Sequence, residues 1–213
     1  MSEHVPPRLS PERRKIILEM AQHWGIQLPP HDTEQLDLIG EMGKLDYKYK
    51  PGRLAELHAA GRLAPATLNY PVPSTWRYRI DGDPVPVQTW RELFQAVDYT
   101  HDFSLARRPR WPVRLYRGAT EANRDGLAWT WRIDQATYFA SSRQAPGTHA
   151  SVWTVLAPPE RLLAYLDDEG EFVTDVRGLE VQPYDPQTPS PWWTRHWPHR
   201  QGARPLTRAR VRR

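Results

Sequence analysis

Arg117, in the run Val113-Arg114-Leu115-Tyr116-Arg117-Gly118, and Glu171, in Glu169-Gly170-Glu171-Phe172-Val173, have side chains suited to chemistry on a small anionic ligand. A guanidinium fits bidentate contact with phosphate oxygens, and a carboxylate can engage the reactive sugar of the same ligand. On separate strands, with Ala128-Trp129-Thr130 between them in sequence, the pair would hold a nucleotide at both ends. Residues two apart in extended chain share a face, so Glu169 and Glu171 would project together with Phe172 turned away. By the same rule Ala128 and Thr130 share a face opposite Trp129. Two carboxylates that close repel unless a cation meets them or one is partly protonated. Taken alone, the glutamates also read as solvent-facing turn acids, and Arg117 as a structural arginine paired across a sheet.

The elements that must carry these residues follow from hydrophobic period. Val113, Leu115 and Arg117 alternate with Arg114 and Tyr116, which predicts a half-buried strand with the arginine on its apolar face. Further strands are expected at Leu127–Trp131, Ala150–Leu156, Leu162–Leu166, Glu171–Val176 and Leu179–Val181, with a short helix over Asp134–Ser141. Upstream, Ser10-Pro11 opens a helix along Ile16, Ile17, Met20, Ala21 and Trp24 that ends at Gly25. A second runs from Asp32, with Gln35 in capping-box spacing, to Gly43. A third covers Arg53–Ala60, and a fourth opens at Thr89 with Glu92 completing a capping box. The proline-rich stretch 63–87 reads as irregular, with a hairpin around Asp81-Gly82-Asp83. The expectation is an α+β protein: a helical region over 1–110, a β-rich core over 111–185, and a tail over 186–213.

Composition narrows the function class. The chain has 213 residues, enough to bury a core, and contains no cysteine, which excludes disulfides and thiolate metal sites. It has no apolar run near the ~18 residues of a membrane span, and Met1–Pro7 lacks the pattern of a secretory signal, so a cytoplasmic protein with no membrane partner is expected. The net charge of +4 is concentrated late: after Asp185 no acid follows, while seven arginines do. That tail reads first as a solvated, disordered extension. It could also dock nucleic acid through arginine–phosphate contacts and stacking on Trp192, Trp193 and Trp197. His196 and His199 are a close pair without a further ligand, so no metal is expected, and His101 beside Asp102 reads as a loop residue.

Tyr116-Arg117-Gly118, then Gly126-Leu127-Ala128-Trp129-Thr130, then the helix ending Tyr138-Phe139-Ala140, then Glu169-x-Glu171 ahead of an apolar strand, resemble in order and spacing the arginine, serine/threonine, glutamate pattern of ADP-ribosyltransferases. The resemblance covers residues from about 111 to 182. It implies NAD as consumed cosubstrate and an ADP-ribosyltransferase-like core of short strands with an embedded helix. The implied pocket consists of Arg117 on the phosphates or nicotinamide ribose, Gly118 at the carboxamide, Thr130 in support, Trp129 and Phe139 as packing residues beside it, and Arg143 as a further phosphate contact. Glu171 would bond the nicotinamide-ribose 2'-hydroxyl, and Glu169 would orient an acceptor, which implies transfer to an arginine of a protein target. Ala128 stands where the family usually has serine, removing a hydrogen bond of about 0.5–1.5 kcal/mol. Two other readings stay open: the same fold acting on a nucleic-acid base with the tail as docking element, and a non-enzymatic binding module or pseudoenzyme.

Overall fold

Prolines that would interrupt a strand instead start helices in the first part of the chain. The structure is a computed structural model that describes residues 9–23, 33–79, 84–142, 149–168 and 170–187. It divides into two compact units, Met1–Asp98 with Phe103–Leu105, and Tyr99–Asp102 with Ala106–Arg213. The first unit holds α1 (Pro11–His23), α2 (Thr33–Lys44), α3 (Lys50–Ala59), α4 (Pro65–Leu68), α5 (Pro71–Arg77) and α6 (Val87–Gln95). The expected irregular stretch is therefore partly helical. Pro65 and Pro71 open α4 and α5, where a fixed φ suits the first turn and the missing N–H has no partner to lose.

Of the two capping boxes expected from spacing, the one at Thr89 does not form, and the Asp32 end of the other lies outside the described residues. Gln35 lies in the first turn of α2, but its amide donates to the Arg62 carbonyl at 2.7 Å and accepts from the Ala64 N–H at 2.9 Å. A buried amide satisfied on both sides thus pins the turn after α3. The helix expected from Thr89 begins two residues earlier, with Pro86 at the N-cap and no side-chain cap bond. Trp76 meets Trp90 edge-on at 5.2 Å and Phe94 at 5.5 Å, and with Leu54, Leu57, Leu68 and Leu93 these form the unit's interior. On α1 the periodic stripe is only partly buried: Ala21 is inside, while Ile16 and Met20 are exposed. Trp24, Asp32 and the 81–83 hairpin lie outside the described residues.

The strands are β1 (Thr100–His101), β2 (Ser104–Leu105), β3 (Val113–Thr120), β4 (Ala128–Thr130), β5 (Ala150–Ala157), β6 (Leu162–Leu166), β7 (Glu171–Thr174) and β8 (Gln182–Pro183), with α7 (Ile133–Ser142) between β4 and β5. They form one mixed sheet in the order β2-β1-β6-β7-β4-β3-β5-β8. The β1–β6 pairing is parallel; those joining β3 through β8 are antiparallel. The chain is thus α+β, as its patterning predicts. The strand expected at 179–181 does not form; a turn closed by the Leu179 N–H on the Val176 carbonyl at 3.0 Å leads into this stretch. The edge strand follows it at Gln182–Pro183, a position where a proline forfeits no ladder bond.

Alternation assigns the two faces of the second unit's sheet. Val113, Leu115, Ala119, Trp129, Trp153, Val155, Tyr165 and Phe172 gather in one buried cluster. The opposite face of β3 receives α7. A Cβ at Gly118 would strike the Ala136 carbonyl and the Ala140 amide of that helix, so only glycine lets helix and strand approach this closely.

Candidate active site

Cross-strand register decides which predicted residues can act together. Tyr116 pairs with Thr130 across β3–β4, and Thr130 pairs with Glu171 across β4–β7. Directly paired residues share a face, so Tyr116, Thr130 and Glu171 form one row, on the side where Gly118 meets α7. Trp129 and Phe172 pair on the other side, inside the buried cluster.

Thr130 is buried and its hydroxyl is used twice. It donates to the Gly170 carbonyl at 2.9 Å and accepts from the Arg132 N–H at 3.1 Å. These bonds tie the end of β4 to the turn that feeds Glu171. Gly170 takes φ +56, and a Cβ there would lie 3.0 Å from the Trp131 indole nitrogen and 3.1 Å from Arg132 Cδ. The turn is therefore left-handed and closely packed, two conditions that glycine meets. Glu171 is half-buried at the start of β7, next to a glycine against which the Arg132 side chain lies. Arg132 itself pairs with Asp134 at 2.7 Å, and this bond holds the exposed Asp134 carboxyl below the usual carboxylate range.

Arg117 does not join this row. It alternates with Tyr116 and Gly118, so its Cβ leaves the sheet on the side of Leu115 and Ala119. It stands two strands from Glu171, roughly 10 Å across the sheet. β3 and β4 share a single paired position, and beyond it the Arg117 guanidinium holds the connecting segment. Its Nε donates to the Asn123 carbonyl at 3.1 Å and its Nη1 to the Ala128 carbonyl at 2.6 Å. A Cβ at Gly126 would come 2.5 Å from Nη2, so this glycine leaves the guanidinium its room. Arg117 and Glu171 therefore leave the sheet on opposite sides, because their parities along β3 and β7 differ once the register is set.

The remaining expected pocket residues divide similarly. Trp129 is a core residue whose indole N–H donates to the Gly126 carbonyl at 2.7 Å. Phe139 is half-buried on α7, its ring 5.7 Å from that of exposed Tyr138. Its backbone lies against Gly118. Ala128 pairs with Val173, and its carbonyl is the one Arg117 holds. Glu169, Arg143 and the tail from residue 188 on lie outside the described residues.

The parallel β1–β6 pairing also builds a cluster that sequence spacing does not reveal. His101 stands beside Tyr165, their rings edge-on at 4.9 Å. The Trp131 indole donates to the Tyr165 hydroxyl at 3.2 Å, which donates to Asp167 at 3.1 Å. The Asp167 N–H donates to Asp102 at 2.9 Å, and Asp102 lies 3.5 Å from His101. Asp102 has φ 45, in the left-handed region where Asp is among the more tolerant residues. His101, Asp102 and Asp167 present donor atoms within 4.8 Å of one another, a set of the type that could share a metal ion. Burial, with the Asp167 carboxylate adding to it against the indole N–H, pushes the Tyr165 phenol up to about 12. The signal in the sequence was His101 next to Asp102; its partners lie more than sixty residues on.

Among the described residues no helix is long and apolar enough to cross a membrane. Comparison of the chain with protein-family models, with curated proteins and with solved structures finds no match.

Proposed function

We propose that the second unit is an NAD-consuming mono-ADP-ribosyltransferase that modifies an arginine of a protein target. The observation that carries this reading is the Thr130–Glu171 pairing. It supplies a half-buried carboxylate at the first position of a strand, on a turn braced by the Thr130 hydroxyl, on the face where Gly118 brings backbone and α7 together. A carboxylate so placed is preorganised, and preorganised charge is what stabilises a cationic transition state.

In this reading the bond from the ribose C1' to the nicotinamide nitrogen breaks, and its electron pair leaves with neutral nicotinamide. Glu171 accepts a hydrogen bond from the ribose 2'-hydroxyl and offsets the positive charge that spreads over C1' and the ring oxygen. A guanidine nitrogen of the acceptor then bonds to C1' and loses one proton, for which Glu169 is the proposed acceptor. NAD binds without a metal. Thr130 holds the Glu171 turn, the Gly118 backbone is the contact for the carboxamide, and Arg143 supplies charge to the phosphates. Arg117 serves the site by fastening the Asn123–Ala128 segment, and the Arg132 side chain lies against Gly170, the residue before Glu171.

The test is nicotinamide release from NAD by the purified chain, with and without an arginine-rich protein acceptor, alongside thermal melting with NAD. A ligand that binds only the folded state raises the melting temperature by mass action. Release that depends on Glu171, with label transferred to arginine, supports the reading. No turnover and no melting shift at millimolar NAD would overturn it.

A further inference from the structure

We propose that the first unit carries a docking surface for single-stranded nucleic acid, formed by the loop between α2 and α3, the first turn of α3 and the end of α5. The inference is independent of the chemistry assigned to the second unit. Three of the chain's four lysines, Lys44, Lys48 and Lys50, fall within seven residues and interleave with Tyr47 and Tyr49, whereas the same stretch holds one acid, Asp46. The rings are outside: Tyr47 is 50%, Tyr49 59% and Tyr78 47% exposed.

Tyr78, which follows α5, packs on Tyr47 with ring centroids 5.3 Å apart, so the two segments share one patch. Each ring has a cation beside it. Lys48 Nζ lies 4.8 Å from the Tyr49 centroid, Lys50 Nζ 4.3 Å from that of Tyr47, and the Arg77 guanidinium 5.6 Å from that of Tyr78. Cation–π contact of this kind holds the rings in place at the surface.

Neutralisation differs sharply a few residues away. Arg53 is paired with Glu41 at 2.9 Å and Glu56 at 3.2 Å, whereas among the described residues no ion pair involves Lys44, Lys48 or Lys50. Partial burial lowers the Lys50 ammonium from its ordinary range despite Asp46, a cost that an adjacent phosphate would offset. The start of α3 adds to the same field. It has no acid in its first turn and no side-chain cap from Tyr49, so no carboxylate within that turn offsets the positive end of the helix dipole. At Gly52 a Cβ would meet nothing within 4 Å, which leaves the backbone approachable there.

Fixed aromatic rings interleaved with lysines outside any ion pair are what single strands require: bases present π-faces to stack, and phosphates meet the ammonium groups. A duplex hides those faces, and an acidic peptide has no use for the rings. The test is fluorescence anisotropy of the full chain with labelled twelve-residue oligo-dT and oligo-U, against a duplex of equal length, polyglutamate and anionic vesicles. The double variant Tyr47→Ala/Tyr49→Ala should weaken oligonucleotide binding about tenfold or more. Lys48→Gln/Lys50→Gln should flatten the salt dependence by about one to two ions, with melting temperatures unchanged. Tyr47→Leu/Tyr49→Leu serves if the alanine variant does not fold. Oligonucleotide binding that is absent, unmoved by these variants, or no better than duplex, polyglutamate or vesicle binding overturns the proposal.

Discussion

The Thr130 hydroxyl donates to the carbonyl of Gly170, the residue immediately before Glu171, while Thr130 itself is Glu171's partner across β4 and β7. One side chain thus sets both the height of the turn and the face on which the carboxylate emerges. A Thr130→Val variant keeps the shape and removes the hydroxyl, leaving a buried carbonyl and the Arg132 N–H without that partner. The expected loss is about 1–3 kcal/mol of stability, read from urea denaturation, with Thr130→Ser restoring most of it.

If Glu171 stabilises departing nicotinamide, Glu171→Gln lowers nicotinamide release by about a hundredfold or more. Far-UV circular dichroism and the melting temperature should stay close to those of the parent. A variant that folds and turns over NAD at the parent rate would remove Glu171 from the chemistry.

Arg117→Lys should loosen the connection between β3 and β4. A single ammonium on a flexible stem does not reproduce a planar fork reaching two carbonyls, Asn123 and Ala128. Faster hydrogen exchange over residues 123–128 and a loss of about 1–2 kcal/mol are expected. Unchanged exchange in that segment would contradict the bracing role.

Gly118→Ala places a methyl group against the backbone of α7 rather than against a movable side chain. Overpacking of this kind costs about 1–3 kcal/mol, and here the helix or β3 must shift to relieve it. Lower melting temperature is the expected outcome, with near-UV dichroism changed around Tyr116 and Trp129.

Tyr165 provides the pH prediction. Burial raises its phenol to about 12 from an ordinary value of 10.0, so the folded state holds the proton more tightly than the unfolded chain. Its stabilising contribution is complete below pH 10.0 and is lost as pH rises through about 12. Between these limits the parent should lose more stability than Tyr165→Phe, measured as the difference between their denaturation midpoints. Parallel curves for the two proteins would contradict the assignment.

Local chemistry wrote much of this fold plainly. Alternation at Val113–Arg117, the unbroken apolar run Leu162–Leu166 and the helical period after Ile133 all identify their elements, because side-chain period and burial follow from backbone geometry. Which residues share a face within a strand was equally legible: Phe172 does turn away from Glu171, and Trp129 from Thr130. Helix starts were harder, since Pro65 and Pro71 break strands and open helices alike, and the capping-box spacing at Thr89 falls inside a helix that begins at Val87.

Register, handed down by tertiary structure alone, decided what these faces do together. A one-residue choice in pairing Tyr116 with Thr130 sends Arg117 to the side opposite Glu171, and a parallel contact between β1 and β6 assembles His101, Tyr165 and Asp167 from positions more than sixty residues apart. The sequence by itself determined the elements and the chemical types they carry. Only the folded sheet determined which of those groups meet, because strand pairing joins segments whose separation along the chain holds no local signal.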